Sequence, residues 1–325
     1  MLADVAEEAG FDFARHEAPY TVVTFETVDV PPGDDRLQRQ TRQFLVDRKV
    51  ANRADGRLGR DVDDDVRDRM PGTRSVVDVV LEVQTPIVGS GIYATHANVP
   101  ASALVKSIAG TTAIEEAAVW MAGLQAYNLI TKVPVGAGDA VLVTAGTSPV
   151  GSALIQFARD MGATVFATTR TDARKQELLD LGAHHVIATD GQALSDVVLE
   201  VTGGKGVKVV LDTVGGTLLA QCVACLAEGG SLFSYGAQTS PDITTARVDV
   251  PLVALDRRSL SFVDLFELTD VPERFAVAQE YIRDAVARAV FKPRVDSTFR
   301  LADVQEAHRR MEDRVLNGKV VITTS

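Results

Sequence analysis

Residues 140–151 read Ala-Val-Leu-Val-Thr-Ala-Gly-Thr-Ser-Pro-Val-Gly, an apolar run that leads directly into a turn of small residues. A helical pattern follows over Val150–Met161. A turn of this kind, between the first strand and first helix of a parallel sheet, is where a pyrophosphate binds. Small residues let the backbone approach the ligand, and the helix N-terminus offers free N–H groups. The spacing departs from G-x-G-x-x-G, because Ser148 takes the second position between Gly146 and Gly151.

Strand and helix patterns alternate around this turn. The predicted strands are Ala140–Thr144, Thr164–Thr168, His185–Ala188, Val207–Asp212 and Ser231–Tyr235. The predicted helices between or before them are Glu115–Ile130, Val150–Met161, Ala173–Leu181, Leu194–Thr202 and Leu218–Ala227. Short apolar strands separated by helices predict a parallel sheet that is covered on both faces. The sequence therefore predicts an α/β fold with a doubly wound sheet of the Rossmann type.

The end of the second predicted strand indicates which dinucleotide binds. An NAD-preferring domain places Asp or Glu about 20 residues after the glycine turn, where it binds the ribose hydroxyls. Here the strand ends in Thr168-Thr169-Arg170-Thr171, and Lys175 follows in the next helix. A guanidinium at this point favours a 2′-phosphate, so we predict NADPH as the cofactor. The alternative is that Arg170 is an ordinary solvated arginine.

Length and charge limit the other possibilities. A chain of 325 residues is long enough for about two domains. A net charge of −11 disfavours nucleic acid or an anionic membrane as a partner. No apolar run reaches the roughly 20 residues of a membrane helix, and the acidic start at Asp4, Glu7 and Glu8 is unlike an export signal. We therefore expect a cytoplasmic protein that acts on a small molecule.

The first 75 residues differ from the rest. They hold 28 charged residues, against 49 in the remaining 250. Apart from one possible strand at Tyr20–Val30, apolar residues do not recur there at a helical or strand period. The simplest interpretation is a solvated, partly irregular segment, and we predict fast amide exchange across Asp34–Met70.

Metal ligation is not predicted. Cys222 and Cys225 are the only cysteines, and both lie in a helical pattern where packing explains them better than redox or metal chemistry. The histidines are scattered without ligand spacing; they are His16, His96, His184, His185 and His308.

Several stretches together resemble one family, the zinc-independent quinone oxidoreductases of the medium-chain dehydrogenase/reductase superfamily. They are the glycine turn at 141–151, Trp120-Met-Ala-Gly-Leu-Gln-Ala-Tyr127, Ala167-Thr-Thr-Arg-Thr171, the segment from Gly203 to Gly216 and Leu316-Asn-Gly-Lys-Val-Val321. The resemblance covers about residues 89 to 325. The family's glycine-rich N-terminal passage is not found in residues 1–75, so this half-domain has diverged, been replaced or been translated in another frame.

The resemblance implies a split architecture, with a GroES-like substrate domain from residues 1–122 and 263–325 around a dinucleotide-binding domain at 123–262. It also implies an NADPH-dependent reductase of quinones, enones or other activated C=C bonds, which usually forms a homodimer. The cofactor-binding residues that it implies are Gly146, Thr147, Ser148, Pro149, Val150, Gly151, Arg170, Lys175, Tyr235, Gly236, Ala237, Leu265, Phe266 and Lys319. Core packing is an almost equal explanation for Tyr235 and Phe266.

The resemblance leaves the reactive end of the site open. Gln125 stands where the family usually has a threonine beside the nicotinamide. A proton for the reduced product has three possible sources, solvent, Tyr93 or Tyr127, so we name no catalytic residue. The alternative function is a non-redox or non-catalytic protein that uses the same scaffold to bind a nucleotide or another small molecule.

Overall fold

The computed structural model describes residue 105 and residues 107–236, 250–312 and 316–323, together with two short strands. These are β1 (Tyr20–Thr21) and β2 (Val99–Pro100), which pair in antiparallel fashion. The predictions for Tyr93, Ala237 and Asp34–Met70 fall outside the described residues, as do His16, His96 and most of the predicted strand at Tyr20–Val30.

A parallel sheet of six strands forms the centre of the described structure. Its strands are β3 (Ala140–Val143), β4 (Thr164–Thr169), β5 (His185–Ala188), β6 (Val207–Asp212), β7 (Leu226–Ser234) and β8 (Ser259–Phe262). Their order across the sheet is β5-β4-β3-β6-β7-β8, and every neighbouring pair is parallel. This is the strand order of a dinucleotide-binding Rossmann fold, which confirms the predicted fold class. The order reverses beside β3, where such sheets bind their ligand.

Eight α-helices are described. They are α1 (Ala113–Ile130), α2 (Pro149–Asp160), α3 (Lys175–Asp180), α4 (Leu194–Val201), α5 (Gly216–Ala224), α6 (Phe266–Thr269), α7 (Pro272–Ala287) and α8 (Val304–Glu312). Short 3₁₀ turns occur at Asp172–Arg174, Leu252–Leu255 and Leu301–Asp303. A second pair of strands is formed by β9 (Val295–Arg300) and β10 (Lys319–Thr323). No helix of the described residues is long and apolar enough to cross a membrane.

The chain divides into two compact units. One comprises Ile108–Ser297 and Asp313–Val321 and contains the six-stranded sheet. The other comprises Met1–Ser107, Thr298–Glu312 and Ile322–Ser325. Every residue of the site described below lies in the unit that contains the sheet.

Helix α1 begins at a capping box that the sequence patterns above did not use. The Thr112 side chain accepts from the Glu115 N–H at 3.2 Å, and the Thr112 N–H donates to Glu115 Oε2 at 2.7 Å. These bonds satisfy free groups at the helix start and lower the pKa of Glu115. The next residue, Glu116, is buried and accepts from the Ile108 N–H at 2.9 Å, so the entry to α1 is held at two points.

The core lies on both faces of the sheet, because β3, β4 and β6 present apolar residues to each side. On one face, Leu142, Phe166 and Val210 pack with residues of α4 and α5. The predicted and observed element boundaries agree within a few residues, with one change of type. The helix predicted to run to Ala227 ends at Ala224, because Leu226 starts β7 and pairs with Val207.

Candidate nucleotide-binding site

The glycine turn lies at the carboxyl end of β3 and is tightly folded. Ala145 has a φ of 47°, a left-handed value that is uncommon for a residue with a side chain. A Cβ added at Gly151 would lie 2.4 Å from Ala145 O and 3.0 Å from the Cα of Gly146. Position 151 therefore accepts only glycine, since any side chain would push α2 away from the turn.

Strand β4 holds the turn from one side. The Ala145 N–H donates to Thr168 Oγ1 at 3.1 Å, and the Gly146 N–H donates to Thr168 O at 2.9 Å. Thr168 is buried, so both bonds are shielded from competing water. One residue of β4 thus fixes two consecutive peptide groups of the turn.

The start of α2 leaves two backbone donors available. Ser148 is the N-cap, and its Oγ accepts from the Gly151 N–H at 3.0 Å. Pro149 at the first helical position has no N–H to satisfy. Within the described part of the chain, the N–H groups of Thr147 and Val150 have no acceptor. Two free donors at the N-terminus of a helix of 12 residues form a site for an anionic group.

A buried carboxylate holds the turn from the other side. Asp212, at the end of β6, is fully buried, and its Oδ1 accepts from Thr144 Oγ1 at 2.7 Å. Its carboxylate also accepts from the N–H groups of Val214 at 3.2 Å and Gly215 at 2.9 Å. Burial raises the pKa of Asp212, and the three hydrogen bonds lower it only in part. Asp212 therefore connects the ends of β3 and β6.

The basic residues after β4 differ in how they are paired. Arg174 forms a bidentate ion pair with Glu177, at 2.6 and 2.7 Å, and Arg294 contacts the same carboxylate. Arg170 and Lys175 are exposed, and neither side chain has a partner among the described residues. The charges of Arg170 and Lys175 are thus the ones available to an anion at the end of β4.

Strands β7 and β8 place their predicted residues at the same edge of the sheet. Tyr235 and Gly236 follow β7, and a Cβ on Gly236 would lie 2.4 Å from Thr213 Oγ1. Leu265 is buried after β8, and Phe266 is half-buried at the start of α6. The Tyr235 hydroxyl is buried without a hydrogen-bond partner in the described structure, and burial raises its pKa.

Lys319 lies away from these strand ends, at the start of β10, where its N–H donates to Arg294 O at 2.8 Å. The preceding Gly318 lines a cavity of about 10 Å³ together with Arg294 and with Pro149 of α2. The cavity is about the size of one water molecule. The glycine before Lys319 therefore lies near the first turn of α2.

Gln125 and Tyr127 contact protein groups that follow β8 or lie on α7. Gln125 is 7% exposed, and its Nε2 lies 3.5 Å from Val263 O. The Tyr127 ring lies 5.0 Å from that of Tyr281, centroid to centroid. The structure thus gives both residues packing or tethering contacts.

The cysteines and the described histidines of the sheet have structural contacts. Cys222 and Cys225 are free and buried, and burial raises both thiol pKa values, to about 12 for Cys225. His184 Nδ1 accepts from the Val165 N–H at 2.9 Å, and His185 stacks on Phe166 at 4.7 Å. In the described part of the chain, no group of three or more His, Cys, Asp or Glu residues could hold a metal ion.

The parallel strands bring most of the predicted residues to one edge, while Lys319 lies on a separate strand pair. Sequence patterns missed Thr168, Asp212 and Asn128, which hold the site through bonds to residues distant in sequence. The signal that the sequence offered was the position of Thr168 and Asp212, each at the end of a predicted strand. The fold and the turn define a protein of the doubly wound, dinucleotide-binding class.

Comparisons with known proteins agree with this class and narrow it. The family model described as zinc-binding dehydrogenase matches residues 149–280. A probable quinone oxidoreductase of Schizosaccharomyces pombe is 31% identical over 243 residues, which are 71% of this chain and 69% of that protein. A 2-haloacrylate reductase of a Burkholderia species is 29% identical over 235 residues, 71% of this chain and 70% of the relative.

A solved structure gives the same result. A mycobacterial protein complexed with NADPH is 33% identical to this chain, with a TM-score of 0.64, and the match covers 71% of each chain. The chain belongs to the quinone oxidoreductase family of the medium-chain dehydrogenase/reductase superfamily. The resemblance found in the sequence is confirmed.

Proposed function

We propose that this protein is an NADPH-dependent oxidoreductase that reduces a quinone or another activated C=C bond. The observation that carries the proposal is the pair of free N–H groups on Thr147 and Val150. They belong to the glycine turn and the start of α2, whose close packing requires glycine at position 151. These groups lie at the carboxyl edge of the sheet beside the switch in strand order, where a pyrophosphate binds. The relatives named for quinone and 2-haloacrylate reduction support the type of reaction.

The residues present fit NADPH in particular. The turn residues from Gly146 to Gly151 would hold the pyrophosphate, and Arg170 with Lys175 would hold the 2′-phosphate. Both basic side chains are exposed and without partners among the described residues, whereas Arg174 is already paired with Glu177. A guanidinium gains much more from a phosphate dianion than from a ribose hydroxyl.

When bound, NADPH supplies the hydride, so the protein needs to hold the reactants in place and exclude water. The residues after β6, β7 and β8 would line the nicotinamide half, since the second half of such a sheet holds the second nucleotide. Among the predicted residues, Tyr235, Gly236 and Leu265 lie there. Phe266 would border these residues. Lys319 would lie near the first turn of α2, and we assign it no contact with the nicotinamide half.

We propose that zinc takes no part in the reaction. A four-cysteine zinc lobe is impossible with two cysteines. A cysteine binds zinc as the thiolate, but burial raises the pKa of both Cys222 and Cys225. The two free thiols also fit a reducing compartment, so we place the protein in the cytoplasm.

The substrate pocket is proposed to involve a GroES-like domain, built from residues 1–122 and 263–325 around the nucleotide domain at 123–262. This arrangement rests on the family resemblance, and it would place the substrate beside the carboxyl edge of the sheet.

The proposed function is tested by following NADPH with the full-length protein. We expect saturable quenching or enhancement of NADPH fluorescence, and NADPH oxidation with at least one member of a panel of quinones, enones and 2-haloacrylates. Failure to bind NADPH at millimolar concentration would overturn the proposal. Binding without oxidation across the panel would favour the alternative, a non-redox protein that uses the scaffold to bind a nucleotide.

Replacing Arg170 by Ala should weaken NADPH binding and leave NADH binding unchanged. Only NADPH carries the 2′-phosphate, and loss of a charge-assisted contact corresponds to roughly a ten- to hundredfold rise in Kd. Titration of both cofactors against the variant measures the difference.

Lys205→Ala is a matched control for Arg170→Ala, because Lys205 is also exposed but precedes β6, at the opposite edge of the sheet. It should change neither dissociation constant. Equal losses of NADPH and NADH affinity in Arg170→Ala would show that Arg170 has a structural or general electrostatic role.

We also propose that the protein forms a homodimer through β8. This strand is the edge of the sheet, and its outer side pairs with no strand of the part of the chain that the structure describes. Phe262 is 56% exposed at the end of this edge. An open sheet edge is a template for pairing with the same edge of a second copy.

Phe262→Asp should convert the dimer to a monomer, because it places a charge in the apolar contact. Val277→Asp is the control, since Val277 is 55% exposed and belongs to α7, not to the edge strand. Sedimentation velocity at micromolar protein should give a monomer mass for the first variant and a dimer mass for the second. A monomeric wild-type protein would contradict the proposed dimer.

A further inference from the structure

A buried amide on α1 binds the segment that follows β8. Asn128 is fully buried, and its Nδ2 donates to Asp264 O at 2.9 Å. The same amide lies 3.4 Å from Glu267 Oε1, and its Oδ1 accepts from Arg274 at 3.4 Å. Among the described residues, the side chain is thus bonded to the connection after β8, to α6 and to the start of α7, which lie more than 130 residues away in the chain.

Gln125 binds Val263, the residue that precedes Asp264. Its Nε2 lies 3.5 Å from Val263 O, directly after β8. Positions 125 and 128 lie on the same face of a helix, because a spacing of three is close to one turn. Two amides of α1 therefore hold the carbonyl groups of two consecutive residues, Val263 and Asp264.

Further contacts fix the same connection. The Glu267 N–H donates to Asp264 Oδ1 at 3.1 Å, Lys132 pairs with Glu267 at 2.7 Å, and Arg274 donates to Glu267 O at 2.8 Å. These contacts hold the start of α6.

The backbone of Val263 and Asp264 is held by Gln125 and Asn128, and Leu265 is buried immediately after them.

This connection lies where the nicotinamide half of a dinucleotide would be. In a sheet of this order the two nucleotides lie on opposite sides of the switch point, over the carboxyl ends of the two groups of three strands. Arg170 after β4 marks the adenosine side, so the ends of β6, β7 and β8 border the nicotinamide side.

We propose that Asn128, with Gln125, is a positioning residue for the nicotinamide half of the cofactor. Each acts through the backbone of Val263–Leu265 and does not itself touch the reacting atoms. The proposal rests on the proposed function, because it requires that NADPH binds. A misplacement of about 1 Å at a positioning segment costs on the order of a hundredfold in rate, so a freed connection should slow hydride transfer.

The test separates the two halves of the cofactor in the full-length protein. Asn128→Leu removes the amide and keeps the number and branching of the side-chain heavy atoms. Titration calorimetry is carried out with NADPH and with adenosine 2′,5′-bisphosphate, which has the adenosine phosphates but no nicotinamide. We expect the Kd of NADPH to rise roughly tenfold or more and kcat to fall. The Kd of the bisphosphate should stay within about twofold.

Gln156→Leu is the matched control. Gln156 is also a buried amide of the same unit, and its Oε1 accepts from the Lys292 N–H at 3.0 Å, a tether of the same length in sequence. Its loss should lower Tm as Asn128→Leu does, without changing the Kd of NADPH. A variant that only destabilises the fold would not separate the two ligands.

The outcomes are distinguishable. A wild-type protein that binds the bisphosphate and not NADPH, or neither, overturns the proposed function. The positioning role alone is overturned if the wild type binds both ligands and Asn128→Leu loses affinity for both equally or for neither. If Asn128→Leu does not fold, Gln125→Leu removes a single long hydrogen bond and allows the same comparison. Loss of NADPH affinity only would support the proposal, and equal or absent losses would overturn it.

Discussion

Gly151→Ala should abolish measurable NADPH binding, with a rise in Kd of at least about a hundredfold, or roughly 3 kcal/mol. The new Cβ would lie 2.4 Å from Ala145 O and 3.0 Å from Ser148 Oγ. Because Ala145 O belongs to the backbone, no side-chain rotation relieves the contact, and the first turn of α2 must move. That movement displaces the N–H groups of Thr147 and Val150, which we assign to the pyrophosphate. Fluorescence titration with NADPH measures the loss.

The control for this variant is Gly191→Ala. A Cβ at Gly191 would meet no atom within 4 Å, so both the affinity for NADPH and the free energy of unfolding should change little. Circular dichroism at 25 °C checks that Gly151→Ala is still folded, because the shift of α2 also costs stability. If the folded variant bound NADPH as tightly as the wild type, the turn would not be the pyrophosphate site.

Asp212→Ala should lower the free energy of unfolding by about 3 kcal/mol, since each buried donor left without an acceptor costs about 1–3 kcal/mol. The carboxylate accepts from Thr144 Oγ1 and from the N–H groups of Val214 and Gly215. All three donors lie at the ends of β3 and β6, so the glycine turn should loosen as well. Urea unfolding of the variant and the wild type at pH 7 gives the difference.

The pH dependence of Asp212 has the opposite sign to that of a salt-bridged carboxylate. Burial raises its pKa in the folded protein above the value of 3.8 in the unfolded chain. Its contribution to stability is therefore fully present below about pH 3.8 and is lost as the pH rises through the folded pKa. Relative to Asp212→Asn, which does not titrate, the wild type should become less stable as the pH increases from 4 to 7.

Glu115 and Glu177 have lowered pKa values, but they are present in both proteins, so their contributions cancel in this comparison. The experiment is urea unfolding of the two proteins at a series of pH values. A difference in stability that does not change with pH would contradict a raised pKa for Asp212.

The sheet was predictable from the sequence because its signals are local. Five of the six strands appear as short apolar runs, and Gly146 and Gly151 flank the turn at recognisable spacing. The sixth strand, β8, was not predicted. Its sequence is Ser-Leu-Ser-Phe, and most of it is exposed at the edge of the sheet, so it lacks the apolar run that marks the others.

One error shows how a strand pairing can override a local preference. Leu226 and Ala227 suit the end of the predicted helix at Leu218–Ala227 as well as they suit a strand. Pairing of Leu226 with Val207 placed them in β7, and Cys225 ended the helix. Periodicity does not contain this information, because the partner strand is almost 20 residues earlier in the chain.

NADPH could also be predicted, because Arg170 follows a strand at a known distance from the turn, although the role of Arg170 itself stays a prediction. The sequence did not indicate which of the neighbouring cations is paired with a carboxylate. Arg174 and Lys175 look equivalent in the sequence, yet Arg174 is bound to Glu177 and Lys175 is exposed without a partner among the described residues. Only the coordinates show which charge is available.

Short-range patterns of apolar and small residues were enough to predict the α/β class, the glycine turn after the first strand and the family; the binding of a pyrophosphate at that turn stays a prediction. The tertiary structure alone decided what holds that site. Asp212 binds Thr144 across 68 residues, and Asn128 binds Asp264 across 136. A buried polar group must find a partner, but the fold determines which distant residue is close enough to supply it.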